Sequence, residues 1–462
     1  MDKNIINELV SILGSENVLT SKEDKINYSY DATPDVQRYE PDVVVTPSSK
    51  DEVVKLVKLA SKYKVPLVTR GSGTNLSGGT IPVDGGIVLS MLKLDRIIEI
   101  DAANLTATVE PGLVIQRLNE AVAPLGLIYP PDPGTVTTAT MGGSVSECSG
   151  GLRGLKYGVT KDYVMGLEMV MPGGEMIYTG GKTVKNVSGY DLTKLFTGSE
   201  GTLGIITEII VKLIPAPKYR RSMLVIFDDL DKAGKTIADI ISNKVIPATL
   251  EIMDNVTIRT VENYSKIGLP VDAEAVLVIE VDGSIEAVVL NEFDTVNSIC
   301  TGNGAVSVKL AESDSDRDAI FAARRAALPA LAQVRPTTIL EDATVPRSRI
   351  PEMLKAIKDI AEKYKIRIGT FGHAGDGNLH PTILTDESDK EEMARVHKAI
   401  DEIFSTAIKL GGTLSGEHGI GMAKSKYMEM QFGSSGMNVM KKIKQALDPD
   451  NIMNPGKVFW RG

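Results

Sequence analysis

Arg70-Gly71-Ser72-Gly73-Thr74-Asn75-Leu76-Ser77-Gly78-Gly79 decides how the first half of this chain is read. The stretch ends a strand–helix–strand unit. Residues 42–47 (DVVVTP) read as a strand ended by proline, and residues 65–69 as the next strand. Between them, residues 49–63 predict a helix. Ser49 can cap it, Glu52 fits a capping box, and apolar side chains recur at Val53, Leu56, Val57 and Ala60. A glycine-rich loop placed there lets backbone N–H groups converge on an anion, because no Cβ blocks the approach. A plain surface turn is the other reading of this loop taken alone.

Outward from the loop, residues 3–13 form an amphipathic helical pattern, residues 87–90, 97–100 and 106–109 read as short strands, and residues 114–123 as a helix. Residues 130–158 look like one long loop rich in Gly, Thr, Ser and Pro, and loops of that length inside a domain usually carry function. From 164 to 217 strands alternate with turns and close at Ile214-Pro215-Ala216-Pro217, a domain boundary. Beyond it the texture changes. Residues 231–242, 284–301, 314–333 and 349–364 predict helices, and 275–281, 305–310 and 366–371 strands, which implies an α+β domain with helices on one face of a sheet. A long helix over 388–410 and another helical stretch over 422–447 follow.

Bulk properties exclude several classes. The 462 residues allow two or three domains. Net charge is −9 with the signs well mixed, and no Lys/Arg stripe offers a nucleic-acid face. No apolar run approaches the roughly 20 residues that span a bilayer. Met1-Asp2-Lys3-Asn4 lacks a basic-then-apolar signal region, so a cytoplasmic location is expected. Cys148 and Cys300 cannot build a disulfide framework or hold an iron–sulfur cluster alone. No G-x-G-x-x-G occurs, and Gly181-Lys182-Thr183 ends like a phosphate-binding loop but has Met176 where the first glycine belongs. NAD and ATP are both unsupported.

The chain has four histidines, and three fall in two glycine-rich stretches: Gly372-His373-Ala374-Gly375-Asp376-Gly377-Asn378-Leu379-His380 and Gly416-Glu417-His418-Gly419-Ile420-Gly421. The tight turn at Gly375, Asp376 and Gly377 can bring two imidazoles together, and Glu417 offers an oxygen. Two His and one carboxylate make a three-ligand metal site with open positions, and His418 stands beside it to move protons. A pair of hydrogen-bonded loop histidines is the other reading of that spacing. His397 lies in a charged helix and reads as a solvated surface residue.

Several glycine-rich loops in one order imply one long ligand with a pyrophosphate in its middle. In that order the sequence resembles the FAD-linked oxidoreductases of the vanillyl-alcohol oxidase type. The match is to the branch of glycolate oxidase subunits, D-lactate dehydrogenases and D-2-hydroxyglutarate dehydrogenases. The motifs are 70–79, 131–134, 141–158 with Lys156-Tyr157-Gly158, 198–207, 372–380, 416–421 and Asn454-Pro455-Gly456-Lys457, so the likeness covers essentially the whole chain. It implies an α+β fold. Residues 1–217 would form a two-subdomain PCMH-type FAD-binding domain, 218–410 an antiparallel-sheet cap, and 411–462 a segment returning to the flavin.

The resemblance also implies roles. Gly71, Ser72, Gly73, Thr74 and Asn75 match the pyrophosphate turn, and Pro131, Asp132, Thr135, Gly142 and Gly143 the second FAD loop. Glu200, Gly204 and Ile206 match the segment along the adenine and ribityl side, and Asn454 the tail residue near the flavin. Thr74 stands where covalently flavinylated relatives place His, so FAD is expected to be non-covalent. Cys148 replaces the Asn of a common Asn-Ala-Gly-Gly and is expected to touch the cofactor. His373, His380 and Glu417 match ligands of one divalent metal (Fe²⁺, Zn²⁺ or Mn²⁺), His418 the catalytic base, and Arg324 the arginine that grips the substrate carboxylate. Leu328, Leu340 and Thr382 stand where dicarboxylate-using relatives place polar groups, which implies a small 2-hydroxy acid with an apolar tail. Lactate fits better than 2-hydroxyglutarate, and glycolate remains open. Relatives in anaerobic bacteria dock to an electron-transfer flavoprotein, which is the expected acceptor. A metallohydrolase using the same three ligands, or a flavin-binding subunit without catalysis, are the competing classes; a colourless metalloprotein or an unbleachable yellow one would mark them.

Overall fold

The computed structural model describes residues 1–459; the single tryptophan, Trp460, and the two residues after it lie outside the described residues. The chain divides into two compact units. One comprises Met1–Ser149, Val159–Pro215 and the chain from Glu417 onward; the other comprises Gly150–Gly158 and Ala216–Gly416.

The first unit holds two sheets. In the smaller, Val43–Val45, Ile87–Ser90 and Leu67–Arg70 run parallel, with Val18–Leu19 antiparallel at one edge. Helix Lys50–Tyr63 makes the crossover and buries Val53, Leu56, Val57 and Ala60. Ser49 accepts the Glu52 N–H as expected, but the box closes one residue early: Glu52 takes the N–H of Ser48, not of Ser49. The second sheet is antiparallel, in the order Ile97–Asp101, Thr106–Val109, Ile205–Lys212, Val164–Val170, Met176–Gly180. Its core includes Val109, Leu118, Tyr129, Leu167, Phe196 and Ile209. The C-terminal tail completes the unit. Leu67 donates to the Ile452 carbonyl, Asn454 donates back to Leu67, and Ile452 and Met453 are buried in the core behind the parallel sheet.

Two expectations change here. The loop over 130–158 contains helices Met141–Glu147 and Gly154–Tyr157. The first is capped by Thr140, and its Gly142 is required by packing, because a Cβ there would lie 2.5 Å from Pro111 Cβ. The stretch over 422–447 is a 3₁₀ turn at Ser425–Tyr427 and a helix, Met428–Leu447, interrupted at Gly433 with φ 61°.

The second unit is built on an eight-stranded antiparallel sheet. Its order is Ser307–Leu310, Tyr219–Phe227, Ala275–Gly283, Thr249–Asp254, Arg367–His373, Asn378–Thr385, Thr337–Leu340, with Ala343–Thr344 also paired to Asn378–Thr385. Strand alternation gives the two faces opposite chemistry. One face carries Met223, Val225, Leu250, Ile252, Leu277 and Ile279; the other carries Ser222, Glu280, Thr249, Glu251, His373 and His380. Helices cover both faces rather than one. Val289 of Glu286–Gly302 meets Gly283 on the apolar side, and Leu331 of Ala327–Leu331 meets Gly369 on the histidine side. The helix predicted over 314–333 is two, Asp314–Arg325 and Ala327–Leu331. Pro329 lacks the N–H that a continuous helix would direct at the Arg325 carbonyl, so the helix turns at Ala326.

Candidate active site

His373 and His380 sit on one β-hairpin of the second unit. His373 pairs with Asn378 and Phe371 with His380, so the two histidines are diagonal neighbours on one face. Their ring centroids lie 5.2 Å apart at 90°. The spacing of seven is thus the length of a tight turn plus one diagonal step. The turn itself is pinned: Gly375 donates to the Leu250 carbonyl, and Val345 donates to that of Gly377. Gly377 has φ 91°, and a Cβ there would lie 2.1 Å from the Val345 oxygen, so this position requires glycine.

The neighbouring strand places Glu251 opposite His373, because Ile252 pairs with Gly372. Glu251 is 1% exposed. Its Oε1 lies 2.8 Å from His373 Nδ1, and its Oε2 accepts from Arg324 Nε at 2.6 Å. Burial works against the charged form, but His373 and Arg324 outweigh it and hold Glu251 below the ordinary carboxylate range. Arg324 is the last residue but one of helix Asp314–Arg325, whose start is fixed by a Ser313–Asp316 capping box. Its guanidinium lies 4.6 Å above the Phe371 ring. The two Nη groups form no hydrogen bond to a described residue, which leaves the fork's outer edge for a planar anion.

Asp342 is fully buried beside His380. It accepts from Asn378 Nδ2 at 2.5 Å, Ser415 Oγ at 2.6 Å and the Gly416 N–H at 2.8 Å, and lies 3.8 Å from His380 Nδ1. Glu417 is the next residue along the chain. Leu340 pairs with Thr382 across the same sheet, and the Thr382 hydroxyl is spent on the His380 carbonyl at 3.1 Å. Leu328 is half-buried in Ala327–Leu331, and His397 is exposed, as expected.

In the first unit, the amides of residues 71–76 make no hydrogen bond to a described residue. Six successive N–H groups without an acceptor are available to an anion. Beside them, the buried Arg70 donates to the Tyr30 carbonyl, and Asn75 Nδ2 donates to the buried Asp31. The second predicted loop differs. Gly142 gives its N–H to the Pro111 carbonyl and Gly143 to Thr140 Oγ1, so these glycines serve close packing rather than donate outward. Pro131 is buried, Asp132 half-buried and Thr135 exposed. Cys148 ends helix Met141–Glu147 in the left-handed region, φ 57°, a place that suits the Asn of relatives better. Burial pushes its thiol above the usual range, so it is not a reactive thiolate.

Glu200 and Asn454 meet. Asn454 Nδ2 donates to the carbonyls of Glu200 at 2.7 Å and Gly79 at 2.8 Å. The Glu200 carboxylate accepts from the N–H groups of Ile420 at 2.7 Å and Gly421 at 2.6 Å, just past His418 in the chain. Glu417 Oε1 is 4.0 Å from His418 Nε2. Gly419 leaves room for Glu147, whose Oε2 would lie 2.1 Å from a Cβ there. That oxygen has no hydrogen-bond partner among the described residues. Burial, with Glu200 and Asp31 close by, holds Glu147 well above the ordinary carboxylate range. Gly204 packs on the Val170 carbonyl, and Ile206 is buried in Ile205–Lys212.

Glu251, Asp342 and Glu147 escape a sequence reading. The signal available was a lone acid inside an apolar run, as in Thr249-Leu250-Glu251-Ile252-Met253, and that pattern also fits a solvated edge.

Residues 216–458 match the C-terminal domain of FAD-linked oxidases, and residues 41–180 match an FAD-binding domain. The chain belongs to the FAD-linked oxidases. This FAD-linked oxidoreductase is 53% identical to the glycolate oxidase subunit GlcD of Bacillus subtilis, over 99% of the chain and 97% of that protein. It is 37% identical to a D-lactate dehydrogenase of Archaeoglobus fulgidus (93% and 95% covered) and 34% identical to one of Anaerostipes hadrus (97% and 96%). In fold it is similar to p-cresol methylhydroxylase, with a TM-score of 0.81 at 19% identity, covering 99% of this chain and 96% of the other. The expected α+β, PCMH-type architecture therefore holds. The FAD-linked oxidase has the acceptor-free amides of 71–76 that a pyrophosphate needs. Two imidazoles of the second unit could serve as metal donors, one of them bonded through Nδ1 to a carboxylate. No helix is long and apolar enough to cross a membrane among the described residues.

Proposed function

We propose that this FAD-linked oxidoreductase dehydrogenates a small monocarboxylic 2-hydroxy acid, D-lactate foremost, to the 2-oxo acid. The observation that carries this is Arg324. A buried arginine, locked by Glu251 on one edge and open at its Nη pair, stands on the same sheet face as His373 and His380. That edge suits a bidentate carboxylate. His418 takes the hydroxyl proton as the base. Non-covalent FAD, cradled by Gly71, Ser72, Gly73, Thr74 and Asn75 and backed by Asn454, supplies the hydride acceptor when bound. Fe²⁺, Zn²⁺ or Mn²⁺ held by His373, His380 and Glu417 would make the substrate hydroxyl more acidic. Leu328, Leu340 and the self-satisfied Thr382 offer nothing to a second carboxylate, which disfavours 2-hydroxyglutarate.

Glycolate is the second reading, favoured by the 53% identity to a glycolate oxidase subunit. An anaerobic visible spectrum of the flavin-loaded protein separates the two. Bleaching by D-lactate but not glycolate supports the first, the reverse supports the second, and no bleaching by either defeats both. For the acceptor, we infer an electron-transfer flavoprotein, through which electrons pass to or from NAD. The inference is drawn from the branch resemblance and from two cysteines too few for an iron–sulfur cluster. Stable complex formation with that flavoprotein supports it; rapid turnover with O₂ or quinone and no complex defeats it.

A further inference from the structure

We propose that Glu251 is a positioning residue that couples the metal ligand His373 to the carboxylate clamp Arg324 through a single buried side chain. The inference rests on the reading of those two residues given above. Glu251 Oε1 meets His373 Nδ1 at 2.8 Å, which fixes the ring and assigns Nε2 as its ligand atom. Glu251 Oε2 takes Arg324 Nε at 2.6 Å, which turns the Nη pair outward. Neither oxygen can serve both partners. A shift that strengthens one bond pulls the other, because the backbone cannot follow: Glu251 lies inside the sheet, between strands registered at Ile252–Gly372 and Leu250–Ile279. Phe371 adds a second link. It is two residues from His373 on the same face, and the Arg324 guanidinium rests on its ring.

One carboxylate therefore sets the distance between the group that holds a substrate's carboxylate and the group that holds the metal. Loss of either partner should loosen the other. A residue that merely filled the core would affect stability but leave metal affinity and the arginine's contribution independent.

The test uses the full-length, FAD-loaded chain with Zn²⁺ as the probe. Glu251→Gln keeps the shape but loses the charge. Zn²⁺ affinity, read by competition with a chromogenic chelator, should fall about 10- to 100-fold. The KM of the acid that bleaches the flavin should rise. Arg324→Lys should cost less in the Glu251→Gln background than in the wild type, a non-additive pair. Flavin absorbance and the unfolding midpoint report the fold. If Glu251→Gln does not fold, Glu251→Asp, one methylene shorter, should keep one partner and lose the other. Zn²⁺ affinity within twofold of wild type, or additive effects with Arg324→Lys, overturns the coupling. A wild type that binds no Zn²⁺ fails earlier and differently: it overturns the metal-ligand reading itself, and the coupling with it.

Discussion

Glu200 lies in the left-handed region, φ 52°, which is uncommon for a side chain of its size. The strained backbone aims its carboxylate at the N–H groups of Ile420 and Gly421. Hydrogen bonds to a charged acceptor are the stronger kind, and these two fix the turn that follows His418. Glu200→Gln can satisfy only one of the two amides, since its other terminal atom is a donor. With FAD still bound, kcat/KM for the acid that bleaches the flavin should fall about 10- to 100-fold through misplacement of His418, the proposed base. Steady-state kinetics beside the flavin spectrum checks this; unchanged kinetics would deny the turn any part in placing His418. Asp254 gives a residue-scale prediction about pH. Burial pushes it up to about 6, against hydrogen bonds from Thr257 and Thr370, while the unfolded chain titrates it near 3.8. Its folded value is raised, so its contribution is complete below the unfolded value and is lost as pH rises through about 6. Asp254→Asn removes that titration. Urea unfolding in steps from pH 4 to 7 should show a shallower fall of stability with pH in the variant than in the wild type.

At the scale of elements, the hairpin that carries His373 and His380 depends on Gly377. Gly377→Ala must push a methyl against the Val345 carbonyl and hold alanine at φ 91°. A loss of at least about 2 kcal/mol is expected. Denaturant unfolding measures it, and a loss under 0.5 kcal/mol would mean that the turn yields freely. The same hairpin explains what could be read from sequence and what could not. The glycines and histidines stood out because they are scarce or conformationally special. Helix Lys50–Tyr63 was legible from its cap and its apolar period. Strands such as Tyr219–Phe227 and Asn378–Thr385 were not, because strands in the middle of a covered sheet are buried on both faces and lose the alternation that marks a half-buried one. Helix Met141–Glu147 was hidden for another reason. Its glycines signal a loop by propensity, and the reason for Gly142 is Pro111, distant in sequence and marked by neither period nor motif. The site's supporting acids were invisible for want of a pattern: Glu251 acquires its meaning from a partner 122 residues away.

At the scale of the whole molecule, the cofactor unit is not the first half of the chain but the first half plus the tail. Leu67 exchanges hydrogen bonds with Ile452 and Asn454, and Lys457 reaches the Ile81 carbonyl at 2.6 Å. Residues 1–215 produced alone should therefore fail to fold or to retain FAD, and co-production with residues 417–462 should restore some flavin binding. Circular dichroism and flavin absorbance of the fragments decide this; a yellow, folded 1–215 fragment would show the tail to be dispensable. The discontinuity also orders events in time. A ribosome delivers the chain from its N-terminus at about 5–20 residues per second, and domains generally fold as they emerge. Residues 216–416 can close on themselves while Ile452, Asn454 and Lys457 are still unmade. Flavin loading thus becomes an event that waits for residues 452–457 to be made, and until then the unfinished half stays exposed to whatever chaperones or proteases the cell supplies.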